Sequence, residues 1–195
     1  MNQKIDEMRL KLMKELDEPR YQHTLGVMYT AASMAMRYGE NLENALIAGL
    51  LHDCAKCIPA PAKILMCEHF QIEITETERK NPGLLHAKLG AFLACEEYGV
   101  EDKDILMAIT SHTTGRPGMS LLEKIIYIAD YMEPGRKELL NMADVRKLAF
   151  EDIDKCLYRI LKDSLTYLES RDFAIDPMTE QTYNYYRAIM EGEHA

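Results

Sequence analysis

The sequence predicts an all-α fold, a bundle of about eight to ten helices. Three observations point there. Apolar residues recur at helical spacing along nearly the whole chain. Only Ile72-Glu73-Ile74-Thr75 alternates as an extended segment would. The breaks between helical runs carry recognisable caps and turns. Strand content is expected to be near zero.

The first helix is marked by Ile5, Met8, Leu12 and Leu16 and breaks at Asp17-Glu18-Pro19. A long amphipathic run from Arg20 to Tyr38 follows, with Val27, Ala31, Met34 and Ala35 on one side and Gly39 as a left-handed cap. Leu42 to Leu51 is apolar enough to be the central helix. Ile58-Pro59-Ala60-Pro61 opens a shorter helix through Phe70. Asn81-Pro82-Gly83 is a turn, and a helix runs from Leu85 to Tyr98. Another spans Asp102 to Ser111, ahead of the loop Thr114-Gly115-Arg116-Pro117-Gly118. Ser120-x-x-Glu123 is a capping box that opens a helix ending near Asp130. After the turn Glu133-Pro134-Gly135 come helices over Arg136 to Phe150 and Ile153 to Ser170. Ile175-Asp176-Pro177 separates them from a last helix, Thr179 to Glu191. No repeat, low-complexity tract or linker interrupts this series.

A chain of 195 residues is long enough for one domain with a sizeable core. Its apolar fraction of 47% and charged fraction of 28% are ordinary for a globular protein. No apolar run is long enough to span a membrane, and Met1-Asn2-Gln3-Lys4-Ile5-Asp6-Glu7 lacks the apolar core of a signal peptide. The expected location is the cytoplasm. Five scattered cysteines, Cys54, Cys57, Cys67, Cys95 and Cys156, fit reduced thiols. Cys54-x-x-Cys57 has no second pair and no preceding strand, so it reads as two small thiols rather than a zinc or redox site. A net charge of −9 without a basic stripe argues against DNA or RNA as a partner. An anionic substrate would need local cations or a metal working against the global field.

The stretch with chemical content is Ala48-Gly49-Leu50-Leu51-His52-Asp53-Cys54-Ala55-Lys56. Neighbouring residues on a helix point about 100° apart, so His52 and Asp53 can meet on one ion only where the helix loosens. His23, His86 and His112 each continue the apolar stripe of their own helix, and Asp130 follows Ile126 and Tyr127 on another. Any one of them alone is an ordinary core polar group. Together, several titratable groups on inward faces of separate helices must find partners. A metal shared among them would satisfy all at once, and a mixed set of imidazoles and carboxylates suits iron, manganese or another first-row ion better than calcium. No thiol biases the set toward zinc. His69 and His194 are given no role. Lys56, Arg136 and Arg20 are candidate phosphate clamps because of their places beside the ligands. Asp176 is a plausible N-cap of the last helix, whose first N–H groups could instead meet a phosphate.

The order His23, His52-Asp53, His86, His112, Asp130 resembles the motif of the HD-domain metal-dependent phosphohydrolases, an all-α superfamily. A more specific resemblance covers nearly the whole chain. Tyr21-Gln22-His23-Thr24-Leu25-Gly26-Val27, the Ala48 to Lys56 stretch, His86-Ala87, Ile109-Thr110-Ser111-His112-Thr113-Thr114-Gly115, Tyr127-Ile128-Ala129-Asp130-Tyr131-Met132-Glu133-Pro134-Gly135-Arg136 and Asp176-Pro177-Met178-Thr179 are similar to the bacterial YqeK family.

That resemblance implies an HD-type domain over 1–195, with a core at 18–132 and helices within 136–191 packed on it. It implies symmetrical hydrolysis of diadenosine tetraphosphate into two ADP, related dinucleoside polyphosphates as further substrates, and iron as the metal. It makes His23, His52, Asp53 and Asp130 the metal ligands, and Asp53 the catalytic residue as well, through contact with both metals or with the nucleophilic water. It leaves His86 and His112 as ligands of a second metal or as phosphate contacts. It adds His23, Thr113, Asp176, Pro177, Met178 and Thr179 to the substrate contacts. The rival expectations are another HD phosphohydrolase (a nucleotidase, a guanosine tetraphosphate hydrolase or a phosphodiesterase) or a metal-dependent nucleotide sensor without catalysis. The apolar stripes of the last two helices would pack internally or across the two-fold of a homodimer.

Overall fold

The computed structural model describes residues 3–137, 141–171 and 175–192, and these form an all-α bundle with no strand among them. Eleven α-helices are seen: α1 Gln3–Glu15, α2 Glu18–Tyr38, α3 Leu42–Leu51, α4 Ala60–His69, α5 Glu76–Lys80, α6 His86–Glu96, α7 Lys103–Ser111, α8 Leu121–Met132, α9 Met142–Glu151, α10 Ile153–Ser170 and α11 Pro177–Glu191. A 3-10 turn, Pro82–Leu85, precedes α6. His194 lies outside the described residues. Among the described residues no helix is long and apolar enough to cross a membrane.

The helix expected least from periodicity is α5. It exists because Thr75 and Glu78 form a reciprocal capping box, so the alternating residues before it serve as a lead-in rather than a strand. The helix expected from Arg136 begins at Met142, and residues 138–140 lie outside the described set. Arg136 still belongs to the preceding turn, since its N–H donates to Glu133 O at 3.0 Å.

The site is positioned by α2, α3, α6, α7 and α8. In α2, Asp17 accepts from Arg20 N, Pro19 occupies the first turn, and Gly39 at φ 76° ends the helix. In α3, Asn41 accepts from Asn44 N, and buried residues cover most of its circumference, as a central helix requires. Gly49 lets α2 and α3 touch backbone to backbone: a Cβ there would stand 2.8 Å from Met28 Cα. One cluster of buried apolar side chains runs from Ile5 in α1 to Tyr186 in α11. Met28 and Met34 belong to that core, whereas Met36 is exposed. Helices α9 and α10 pack on α8, and α11 packs on α10.

Candidate metal centre and substrate cleft

The last carbonyls of a helix have no N–H of the next turn to bond. Two of the histidines sit at such positions. His52 caps α3 and His112 caps α7, and their Nδ1 atoms donate to Gly49 O at 2.8 Å and Ile109 O at 2.7 Å. His86, at the end of the 3-10 turn, does the same to Gly83 O at 2.5 Å. His23 lies within α2 and donates instead to Glu133 Oε1 at 3.0 Å. With the proton on Nδ1, each ring presents a bare Nε2 lone pair.

The four lone pairs converge on the Asp53 carboxylate from its two sides. His23 Nε2 lies 2.9 Å from Asp130 Oδ1, and His52 Nε2 lies 3.7 Å from the same oxygen and 3.5 Å from Asp53 Oδ2. On the other side of Asp53, Oδ1 lies 3.2 Å from His86 Nε2 and 3.6 Å from His112 Nε2. The last two nitrogens are 3.0 Å apart. These are contacts of acceptor with acceptor, and His23 Nε2, His52 Nε2 and Asp53 Oδ1 are buried without a hydrogen-bond partner. A proton or a cation must stand among them. Two overlapping triplets have ligand atoms close enough to share an ion: His23, His52 and Asp130, and His52, Asp53 and His112. The donor set therefore fits a first-row divalent metal.

Without a cation among these acceptors, the field places the proton on His52. Burial disfavours charge on His52, but the Asp53 and Asp130 carboxylates outweigh it and hold its pKa up at about 10. Burial works against charge on both aspartates as well. The histidines facing Asp53, and His23, His52 and Arg136 around Asp130, nonetheless hold each far below the ordinary carboxylate range. His86 goes the other way. Burial, with His112 and Lys56 beside it, lowers its pKa to about 4 and leaves it neutral.

Three cations ring the carboxylates. Arg20 Nη1 bonds Asp53 Oδ2 at 2.7 Å, a tighter link than its helix spacing suggested. Lys56 Nζ reaches His86 Nε2 at 3.1 Å and Asp53 Oδ1 at 3.7 Å, although α3 ends before it and a turn carries it there. Arg136 bonds both the backbone and the side chain of Asp130. A cleft of about 410 Å³ opens over this cluster between Lys56, His112, Thr113, Asp130 and Arg136. A neighbouring cavity of about 500 Å³ is lined by Thr113, Met107, Arg116, Asp176, Pro177 and Met178. Thr113 borders both, with Oγ1 3.2 Å from His112 Nε2.

Thr179 is buried and absent from either lining. The start of α11 is not open to a phosphate: Met178 N donates to the Asp176 carboxylate and Thr179 N to Asp176 O. Arg116 is committed to Glu123 through two bonds. Cys54 is buried and donates to Gly90 O, while Cys57 is exposed. His69 stacks edge-on with Phe70, away from the cluster. The residue to which sequence reasoning assigns no role is Glu133, although it opens a turn and lies in the Tyr127 to Arg136 stretch that carries the family resemblance. An acidic residue just past the Asp130 helix is too common a feature to single out.

The HD domain family matches residues 20–135. The chain is 42% identical to the symmetrical bis(5'-nucleosyl)-tetraphosphatase of Bacillus subtilis, over 88% of this chain and 91% of that one. It is also 42% identical to the protein of the same name from Halalkalibacterium halodurans, over 90% and 93%. A crystal structure from Clostridium acetobutylicum, described as a predicted HD superfamily hydrolase involved in NAD metabolism, is 43% identical. It superposes with a TM-score of 0.91, covering 94% of this chain and 97% of that one. The chain belongs to the HD-domain family. Within it, the chain belongs to the YqeK family, which its motif series resembles.

Proposed function

We propose that this protein is a metal-dependent phosphoanhydride hydrolase that cuts diadenosine tetraphosphate symmetrically into two ADP. The carrying observation is the acceptor-only cluster of four imidazoles and two carboxylates on the floor of a cationic cleft. The names of the relatives supply the substrate class. His23, His52, Asp53 and Asp130 would hold the ion, iron by family resemblance with manganese as the substitute. A bound ion of this kind acidifies water and neutralises phosphoryl oxygen.

The chain's own groups do the rest. Lys56 and Arg136 bind phosphate oxygens in the cleft, and Arg20 holds the Asp53 carboxylate in place. Asp53 Oδ1, buried and without a hydrogen-bond partner in the protein, accepts a hydrogen bond from the attacking water. His86 and His112 face that same oxygen with lone pairs, which suits a second metal better than an anionic phosphate. Thr113 stands where the cleft meets the second cavity, so a nucleoside placed there lies against Asp176, Pro177 and Met178. Thr179 supports that wall from behind. The active unit is one domain in which α9 to α11 pack on the metal-binding core, working in the cytoplasm.

The test is chromatographic product analysis with ferrous or manganous ion added anaerobically. ADP as the sole product is expected. ATP plus AMP would move the scissile bond, and metal-dependent binding without products would make the protein a sensor. NAD belongs in the same substrate panel, because the Clostridium protein is described through NAD metabolism.

A further inference from the structure

His23 is the exception among the four inward histidines. The other three take their orientation from backbone carbonyls left over at the end of a helix or 3-10 turn. Inside α2 the carbonyls are consumed by the helix itself, so His23 needs a partner from another element. Glu133 is that partner. It follows α8, its side chain is 3% exposed, and Oε1 takes the His23 Nδ1–H at 3.0 Å. Oε2 takes the Gly135 N–H at 2.5 Å. Both oxygens are thereby used, and the carboxylate is aimed from both ends.

Two glycines keep its place open. A Cβ on Gly26, one helical turn after His23, would overlap Glu133 Oε2 and stand 2.9 Å from its Cδ. A Cβ on Gly135 would stand 3.0 and 3.2 Å from the two oxygens. Gly26 sits in a helix interior, where alanine is the better helix former. Its presence calls for a local reason, and the Glu133 carboxylate supplies one.

We propose that Glu133 is a positioning residue for the metal ligand His23, with Gly26 and Gly135 as the glycines that admit it. The inference rests on the metal-centre reading above and deepens it. A carboxylate on Nδ1 fixes the ring and its tautomer and makes Nε2 a better electron donor. Glu133 thus governs how tightly the His23, His52 and Asp130 group keeps its ion. The residue contacts neither substrate nor metal itself.

The test is manganous-ion binding to metal-stripped protein, by calorimetry and by the electron paramagnetic signal of the ion, without nucleotide. Glu133→Gln keeps the shape of the side chain but has one acceptor where two are needed. Either His23 or Gly135 then loses its partner. Gly26→Ala pushes the carboxylate aside and leaves every ligand in the chain. Each variant is expected to bind the ion roughly 10- to 100-fold more weakly. Metal-free Glu133→Gln should still unfold cooperatively with the helicity of the parent, at a melting temperature lowered by the one hydrogen bond lost. The double variant should be no weaker than the worse single one, because both changes break the same contact. Should Gly26→Ala not fold, Gly135→Ala presses on the same carboxylate in its stead. Unchanged manganese affinity in Glu133→Gln, or losses that add in the double variant, overturns the proposal. A parent protein that binds no manganese overturns the metal centre itself, and the two failures are thereby told apart.

Discussion

At Asp53 one carboxylate faces two sets of neighbours. Oδ2 looks toward His23, His52 and Arg20, and Oδ1 toward His86, His112 and Lys56. His52→Ala and Asp53→Ala are therefore each expected to abolish bound metal and turnover. Far-ultraviolet dichroism should stay near that of the parent, because the helices are held by the apolar core. Retained activity in either variant would take the residue out of the mechanism. On the proposed reading, Lys56→Ala and Arg136→Ala remove cations that bind phosphate and meet charge that develops during cleavage. Each should lower kcat/KM by about 10- to 100-fold when measured at saturating metal. The ligands were legible as polar residues on apolar stripes. Glu133 was not, because its role depends on a partner 110 positions away.

Elements place these residues through their ends and crossings. The α2/α3 crossing depends on Gly49, and a methyl group there meets backbone that cannot swing aside. Gly49→Ala should cost about 1–3 kcal/mol of stability by denaturant unfolding, despite alanine's better helix propensity. It should also disturb His52, whose Nδ1 is tied to the Gly49 carbonyl. At the start of α8, Glu123 is buried and bound to Ser111, Arg116 and the Ser120 N–H. Burial alone would raise its pKa, but those bonds bring it below the usual carboxylate value. A carboxylate depressed in the folded state adds stability above its unfolded pKa, and that contribution fades as pH falls through the folded one. Glu123→Gln should thus be less stable than the parent at neutral pH, by about 1–3 kcal/mol. The gap should close below about pH 4 in thermal melts. A gap that stays constant to pH 3 would show that Glu123 adds nothing by ionisation. The Ser120 and Thr75 boxes were both written in the chain, and only the first stood out. The second precedes a helix, Glu76–Lys80, too short to show a period.

For the molecule as a whole, a metal held by residues from separate helices would be a stabilising ligand of the folded state. Manganese at about 100 times its Kd should add about 2.7 kcal/mol, and a chelator should remove it. For a chain of this size that is a rise of about 5–10 °C in melting temperature. An unchanged melt on adding metal would argue against a centre assembled only by folding. Net charge sets the other molecular constraint. At −9 the chain repels a polyphosphate at long range, so the proposed reaction needs local attraction, for which Lys56, Arg136 and an ion are the proposed sources. Association should consequently weaken little with added salt compared with a basic nucleotide binder.

The chain order of residue types by itself determined the all-α class, the positions of most helices, and the four histidines and two aspartates as inward polar groups. Those properties are local: helical period, caps and the contrast between a histidine and its apolar neighbours all lie within one or two turns. Tertiary structure alone decided that the lone pairs face one another, that Arg20 closes on Asp53, that Thr113 joins two cavities and that Glu133 holds His23. Each of these is a distance between side chains on different helices, and such distances are set by how helices cross, as at Gly49.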